Sequence, residues 1–280
     1  FRFDQALGIL PMIQKLFTAE IGYHVSLVPS ATPFSRNGIF SGRFLSEIQD
    51  QEPEIWQRIA NSESSMNLGE PDMFKNLLRK LSGRDISHAY HKVSIAKEGQ
   101  RFLTHMKEYS DLLLIALVVN FVDLLTHHRA KSDILQEMIP DESGYRSLVQ
   151  TWFANSWLLE VLSTAAEMDF TVILTSDHGS IRVRRGVKIA ADRETSKGVR
   201  YKYGRSLQCP DKHALVIKRP ADYRLPEMLT GTNYLIAKED VYFVYPTEYH
   251  KYLSQLQGSF QHGGISLEEL LVPTITLKRR

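Results

Sequence analysis

Thr175-Ser176-Asp177-His178-Gly179 closes the apolar, β-branched run Phe170-Thr171-Val172-Ile173-Leu174. A short run of this kind, bounded by a turn, reads as a buried strand. In an open α/β sheet, ligands bind beyond the carboxyl ends of the strands. A carboxylate beside an imidazole at such an end suits zinc or a similar divalent ion. A turn with a surface histidine gives the same letters, so the pair needs company. Three further segments supply it.

Leu112-Leu113-Leu114-Ile115-Ala116-Leu117-Val118-Val119 is a continuous apolar run, too short for a bilayer and typical of a strand covered on both faces. It leads into Asn120-Phe121-Val122-Asp123-Leu124-Leu125-Thr126-His127. If a helical turn begins here, Asp123 and His127 share one face and can grip one cation, or simply pair with each other. His128, one step round, reads as a solvated neighbour. In Phe260-Gln261-His262-Gly263-Gly264-Ile265-Ser266-Leu267-Glu268-Glu269 the paired glycines permit a tight turn that brings His262 into a crowded site or merely caps a loop. Ser266 with Glu269 resembles a capping box. Finally, a strand expected over His24–Val28 runs into Pro29-Ser30-Ala31-Thr32-Pro33-Phe34-Ser35-Arg36-Asn37, with Thr32 at N-cap and Pro33 at N1 of a helix ending at Gly42. Capping alone accounts for that pair. The same geometry offers a hydroxyl and free amides to an anion, and a threonine oxygen activated by a metal is a phosphate nucleophile.

Together and in this order, residues 30–42 (Ser-Ala-Thr-Pro-Phe-Ser-Arg-Asn-Gly-Ile-Phe-Ser-Gly), the 120–127 segment, Ser-Asp-His-Gly and Gln-His-Gly-Gly-Ile-Ser-Leu-Glu-Glu resemble the PglZ branch of the alkaline phosphatase superfamily. The likeness runs from Phe1 to Pro273 and is strongest to the effector domain of PorX-like response regulators, which control type IX secretion. It implies an α/β fold, with an alkaline-phosphatase-like central, mostly parallel sheet flanked by helices and a small inserted cap, placed here at 185–258. It implies two zinc ions per chain, one held by Asp123, His127 and His262 and the other by Asp177, His178 and the Thr32 hydroxyl. The family has a further aspartate on this second metal, in an Asp-x-(Leu/Phe)-Arg-(Phe/Tyr)-Asp-Gln pattern. Phe1-Arg2-Phe3-Asp4-Gln5 resembles the tail of that pattern. The aspartate, its strand, and receiver and helical regions are therefore expected ahead of Phe1. Ala6 stands where the family has tryptophan. A homodimer, with sensor-kinase and sigma-factor partners, follows from the same resemblance.

The reaction so implied is two-step phosphoester hydrolysis through Thr32, with Arg36, Asn37 and the helix amides holding nonbridging oxygens. Between Arg182 and Arg205 nine basic residues face only Asp192 and Glu194, with Tyr201 and Tyr203 interleaved. Such a loop is either solvated or a holder of nucleotide phosphates and bases, and Arg193, Arg200 and Lys202 are its expected contacts. Nucleotide phosphodiesters, oligonucleotides included, are the expected substrates. A signalling or dimerisation module with vestigial hydrolysis is the alternative. A phosphomutase would need a second phosphate-shuttling apparatus.

The 280 residues, 43% hydrophobic, suit one sizeable α/β domain, and a net charge of +2 is no general nucleic-acid magnet. Cys209 is the sole cysteine, so no internal disulfide can form and a reducing, cytoplasmic setting is expected. No apolar stretch has transmembrane length, and no signal peptide is visible. Helices are expected over 8–17, 99–109 and 145–168, the last with an aromatic stripe read as core. Strands are expected over 213–218, 233–237, 241–245 and 270–277. The 233–237 and 241–245 strands should form a hairpin, and Pro273 marks an irregular or edge position.

Overall fold

The structure, a computed structural model, describes residues 1–60, 62, 66–129, 132–190, 196, 198–245, 253 and 255–280, the side chains of His127 and His128 excepted. Its helices, in chain order, are α1 (Phe3–Ile13), α2 (Thr32–Ser41), α3 (Leu45–Gln51), α4 (Pro53–Ala60), α5 (Glu70–Ser82), α6 (Ala96–His105), α7 (Phe121–Arg129), α8 (Asp133–Met138), α9 (Glu142–Ala154), α10 (Trp157–Glu167) and α11 (Leu267–Leu270). The strands are β1 (Phe17–Val25), β2 (His88–Val93), β3 (Leu114–Val119), β4 (Val172–Thr175), β5 (Ile181–Arg182), β6 (Arg185–Lys188), β7 (Tyr201–Gly204), β8 (Ala214–Ile217), β9 (Asn233–Ala237), β10 (Val241–Val244), β11 (Phe260–Gln261) and β12 (Leu271–Arg279).

Two compact units emerge, each assembled from separated stretches. One comprises Phe1–His24, Ile86–Ser176 and Leu271–Arg280, the other Val25–Asp85 and Asp177–Leu270. In the first, strands lie in the order β1-β12-β4, and β2 pairs with β3 in parallel. The core here forms because α1 repeats Ala6, Ile9, Leu10 and Ile13 at helical spacing, and these meet Phe153, Trp157, Val161 and Leu162 of α9 and α10 and Ile275 and Leu277 of β12. The aromatic stripe is core, as expected.

In the second unit β9 lies between β7 and β8, both antiparallel to it, while β6 and β10 pair in parallel and β5 with β11 antiparallel. Its largest core packs Phe34, Leu45, Ile48, Ile59 and Met73 from the helices against Ile217, Tyr234 and Ile236. The α/β class holds, and the sheets mix both strand directions.

Local expectations are corrected in several places. The 145–168 helix breaks at Asn155-Ser156, where the Ser156 hydroxyl donates to the Phe153 carbonyl (3.0 Å) and the Asn155 amide to that of Thr151 (2.8 Å). Short polar side chains compete with the helix for its own backbone groups. The first helix begins at Phe3, and the strand expected at 24–28 ends at Val25. Leu114–Val119 carries no buried residue, so β3 is not covered on both faces among the described residues. Pro273 lies inside β12, the middle strand of its sheet. The ladder to β4 starts one residue later, at Thr274 opposite Thr175. β9 and β10 are not ladder partners among the described residues. Arg200 takes the carbonyls of Glu239 (2.8 Å), in the connection between them, and of Val241, the first residue of β10.

Candidate active site

The N-terminus of α2 positions Thr32. Ala31 is the N-cap, with extended backbone (φ −138°, ψ 143°), so Thr32 is N1 and Pro33 is N2, one position later than the sequence suggests. Proline at N2 is tolerated because that amide has no intrahelical partner. Phe34 and Ser35 turn their amides back to the Ala31 carbonyl (2.9 and 3.0 Å), so the first turn offers an anion fewer free N–H groups than expected. The helix ends as foreseen at Gly42, left-handed at φ 63°, with its N–H on the Gly38 carbonyl (2.9 Å).

The Asp-His turn meets this helix end. His178 is buried, and its Nδ1 lies 2.9 Å from the Gly179 carbonyl oxygen. A carbonyl only accepts, so Nδ1 carries the proton and Nε2 presents a lone pair. That lone pair faces Thr32 Oγ1 at 3.0 Å, and Asp177 Oδ2 lies 3.6 Å from the same nitrogen. The Ser26 hydroxyl lies 2.5 Å from the Asp177 carbonyl and 2.9 Å from the Ser35 hydroxyl, stitching the turn to α2.

His262 completes the group. Its ring stacks on that of His178 with centroids 4.0 Å apart and planes 19° from parallel. Ser30, fully buried, organises the turn behind it. The Ser30 hydroxyl donates to the Gly264 carbonyl (2.8 Å) and accepts the Gly263 amide (3.1 Å), while the Ser30 carbonyl lies 3.3 Å from His262 Nδ1. Both glycines are required. Gly263 sits at φ 113°, and a Cβ on Gly264 would stand 2.2 Å from Arg200 and 2.6 Å from the Ala237 carbonyl.

Thr32, Asp177, His178 and His262 therefore come together in the second unit. Asp123 is the third residue of α7 in the first unit, and the helix begins where the sequence placed it, with the Leu124 amide on the Asn120 carbonyl (3.0 Å). The side chain of His127, one turn on, lies outside the described residues.

Several expected phosphate contacts are redirected. Asn37 is fully buried; its amide donates to the carbonyls of Pro33 (2.8 Å) and Met66 (3.0 Å), and its oxygen accepts from Asn67 (2.9 Å). It builds α2 and the 66–67 segment. Arg36 pairs with the buried carboxylate of Glu70 at 2.5 Å. Arg200 is 0% exposed and grips Glu269 with two donors, at 2.7 Å each. Lys202 is buried and donates to the Ser196 carbonyl (3.0 Å) and to the Tyr245 hydroxyl (3.2 Å). Arg200 and Lys202 thus hold the interior, and this corrects their reading as substrate contacts. β7 alternates its side chains, and the strand faces inward at 202. Arg193 lies outside the described residues.

Burial pulls the Lys202 ammonium down from its ordinary 10.5 to about 8. An unfolded chain binds this proton up to the higher value, so the group costs stability below pH 8 and the cost fades as pH rises toward 10. Lys202→Met is expected to stand closest to, or above, the wild type near pH 7 and to fall behind between pH 8 and 10. Urea unfolding at both ends of that window checks it, and a gap independent of pH would refute it.

The sequence pattern of the family described as "BREX system PglZ alkaline phosphatase-like domain" matches residues 1–277. No curated protein matches. Among solved structures, phosphonoacetate hydrolase from Sinorhizobium meliloti 1021, bound to phosphonoformate, is 12% identical over 98% of this chain and 84% of its own, with a TM-score of 0.59. The same enzyme bound to phosphonoacetate gives 11% identity, 98% and 86% coverage, and 0.59. Murine ectonucleotide pyrophosphatase/phosphodiesterase 5, as an inactive threonine-to-alanine variant in complex with AMP, is 12% identical over 99% of this chain and 85% of its own, with a TM-score of 0.61. These likenesses are of fold.

Proposed function

We propose, from the premise that the chain belongs to the PglZ family of alkaline phosphatase-like domains, that it hydrolyses phosphodiesters with Thr32 as nucleophile. One observation carries the reading: the Thr32 hydroxyl at the start of α2 lies 3.0 Å from His178 Nε2, with the His262 ring stacked 4.0 Å behind. The murine neighbour, inactive when a threonine is replaced, supports a threonine in this role.

Among the described residues, no three or more His, Cys, Asp and Glu side chains gather into a ready cation site. The donors present still fit a divalent ion. They are a carboxylate, a hydroxyl, and an imidazole whose other nitrogen is held by a carbonyl, the contact that usually orients a metal-binding histidine. Asp177, His178 and Thr32 would hold one ion, and by motif resemblance Asp123, His127 and His262 the other. Nitrogen and oxygen donors of this kind favour zinc. When bound, such ions supply Lewis acidity that lowers the pKa of a hydroxyl and offsets phosphoryl charge.

The chain's own residues do the rest. Thr32 Oγ forms a bond to phosphorus as the ester P–O bond breaks and the alcohol leaves. Water then cleaves the threonine–phosphate bond, returning the hydroxyl and releasing the phosphate product. Ser30 and Ser26 hold the histidine turns against α2, so the hydroxyl meets its partners without reorganisation. With Arg200 and Lys202 turned inward, the nucleotide reading rests on the AMP bound by the murine neighbour. The motif resemblance further supports a cytoplasmic homodimer serving as output domain of a PorX-like response regulator, with sensor-kinase and sigma-factor partners, and 185–258 as its cap.

Elemental analysis of protein purified without chelator is expected to find about two divalent ions per chain. A value near zero, with no uptake of added zinc, would overturn the ligand assignment.

A further inference from the structure

Arg200 and Glu269 form an ion pair in which both side chains are 0% exposed. Arginine Nε donates to Oε1 and Nη2 to Oε2, each at 2.7 Å. The same carboxylate accepts the Gly264 amide at Oε1 (2.8 Å) and the Ser266 amide at Oε2 (3.0 Å). The main-chain carbonyl of Glu269 accepts the Gly179 amide (2.9 Å). Gly264 lies two residues after His262, and Gly179 directly follows His178. One residue therefore grips the two turns that carry the stacked histidines, from its side chain on one and its backbone on the other. Arg200 fixes that residue from behind and anchors it to the Glu239 and Val241 carbonyls.

Burial alone pushes the Glu269 carboxyl up. Arg200 and the two amides outweigh it, so the group stays ionised and its oxygens remain acceptors. A neutral acid would carry a proton on one oxygen and would contend with the amide it now receives. The charge is what keeps every donor pointed inward.

We propose that the Arg200–Glu269 pair is a positioning device for the reaction above, setting the separation of His178 and His262; the catalytic part of this rests on the Thr32 reading. Both residues work through the histidines and touch no substrate.

The test combines a wild-type measurement with two variants. In wild-type protein, the Gly179 and Gly264 amides should exchange with solvent at one common protection level, because a single residue closes both. Glu269→Gln keeps the shape and removes the charge; Arg200→Lys keeps the charge and loses the fork. In each folded variant the imidazole NMR resonances of His178 and His262 should move together. Turnover of a chromogenic phosphodiester should fall about tenfold with KM changed by less than about twofold, since geometry and not binding is lost. Arg200→Lys should retain more activity than Glu269→Gln.

Movement of one histidine alone, unequal wild-type protection of the two amides, or unchanged resonances in a folded variant would each overturn the proposal. Should neither variant fold, the wild-type exchange measurement decides alone. Absence of hydrolysis in the wild type would sink the Thr32 reading, while the exchange and NMR results would still stand or fall separately.

Discussion

Thr32→Ala is expected to lower phosphodiester turnover by roughly three orders of magnitude or more, the usual scale for loss of a covalent nucleophile. The fold should survive, because the hydroxyl meets one imidazole nitrogen at 3.0 Å and the helix cap is provided by the Ala31 backbone. A stability cost of about 1 kcal/mol covers that hydrogen bond. Thr32→Ser keeps the oxygen and should retain part of the activity. Steady-state rates beside a thermal melt separate the effects. Wild-type turnover in Thr32→Ala would make a water the nucleophile and end the two-step scheme.

Arg200→Met is expected to cost about 3–5 kcal/mol of unfolding free energy, because it strands a buried carboxylate. The pH dependence has a definite sign. In the wild type the Glu269 carboxyl is held below its ordinary value, so its stabilising share is present above about pH 4.3 and lost as pH falls through the lower folded value. Without the guanidinium, burial is the largest influence left and raises the carboxyl. The variant then takes up a proton on folding, and its deficit shrinks as pH drops toward 5. Adding Glu269→Gln to Arg200→Met should recover part of the loss. Urea titrations of all three proteins at pH 5 and 8 check this; a loss below about 1 kcal/mol, or one flat in pH, would refute it.

The sequence made the turns legible better than the surfaces. Gly42 as helix terminator, the glycines beside His262, Glu269 accepting the Ser266 amide, and helical spacing of Asp123 and His127 all follow from local stereochemistry, which travels with the residues themselves. The direction of a charged side chain does not. Arg200 and Lys202 belong to a run that reads as a solvated or ligand-facing loop, yet Lys202 sits on β7 and Arg200 directly before it, and burial there depends on which partners the strand meets. Arg200 pairs with a residue 69 positions away, a distance no local pattern encodes. The hairpin expected between β9 and β10 does not form, because β7 and β8 occupy both edges of β9 and β10 pairs with the distant β6. The apolar 112–119 run was read correctly as a strand but not for its degree of burial, which is set by neighbours and not by its own hydrophobicity.

The site is drawn from three remote stretches of chain, with Thr32 near one end and Glu269 near the other. A ribosome releases residues in order, and domains fold as their parts emerge. Thr32 therefore leaves the ribosome long before the residue that fastens both histidine turns. Until Glu269 is free of the exit tunnel, the Gly179 and Gly264 amides lack the residue that accepts them both. A message cut short anywhere before that codon yields a product in which nothing clasps these two turns together.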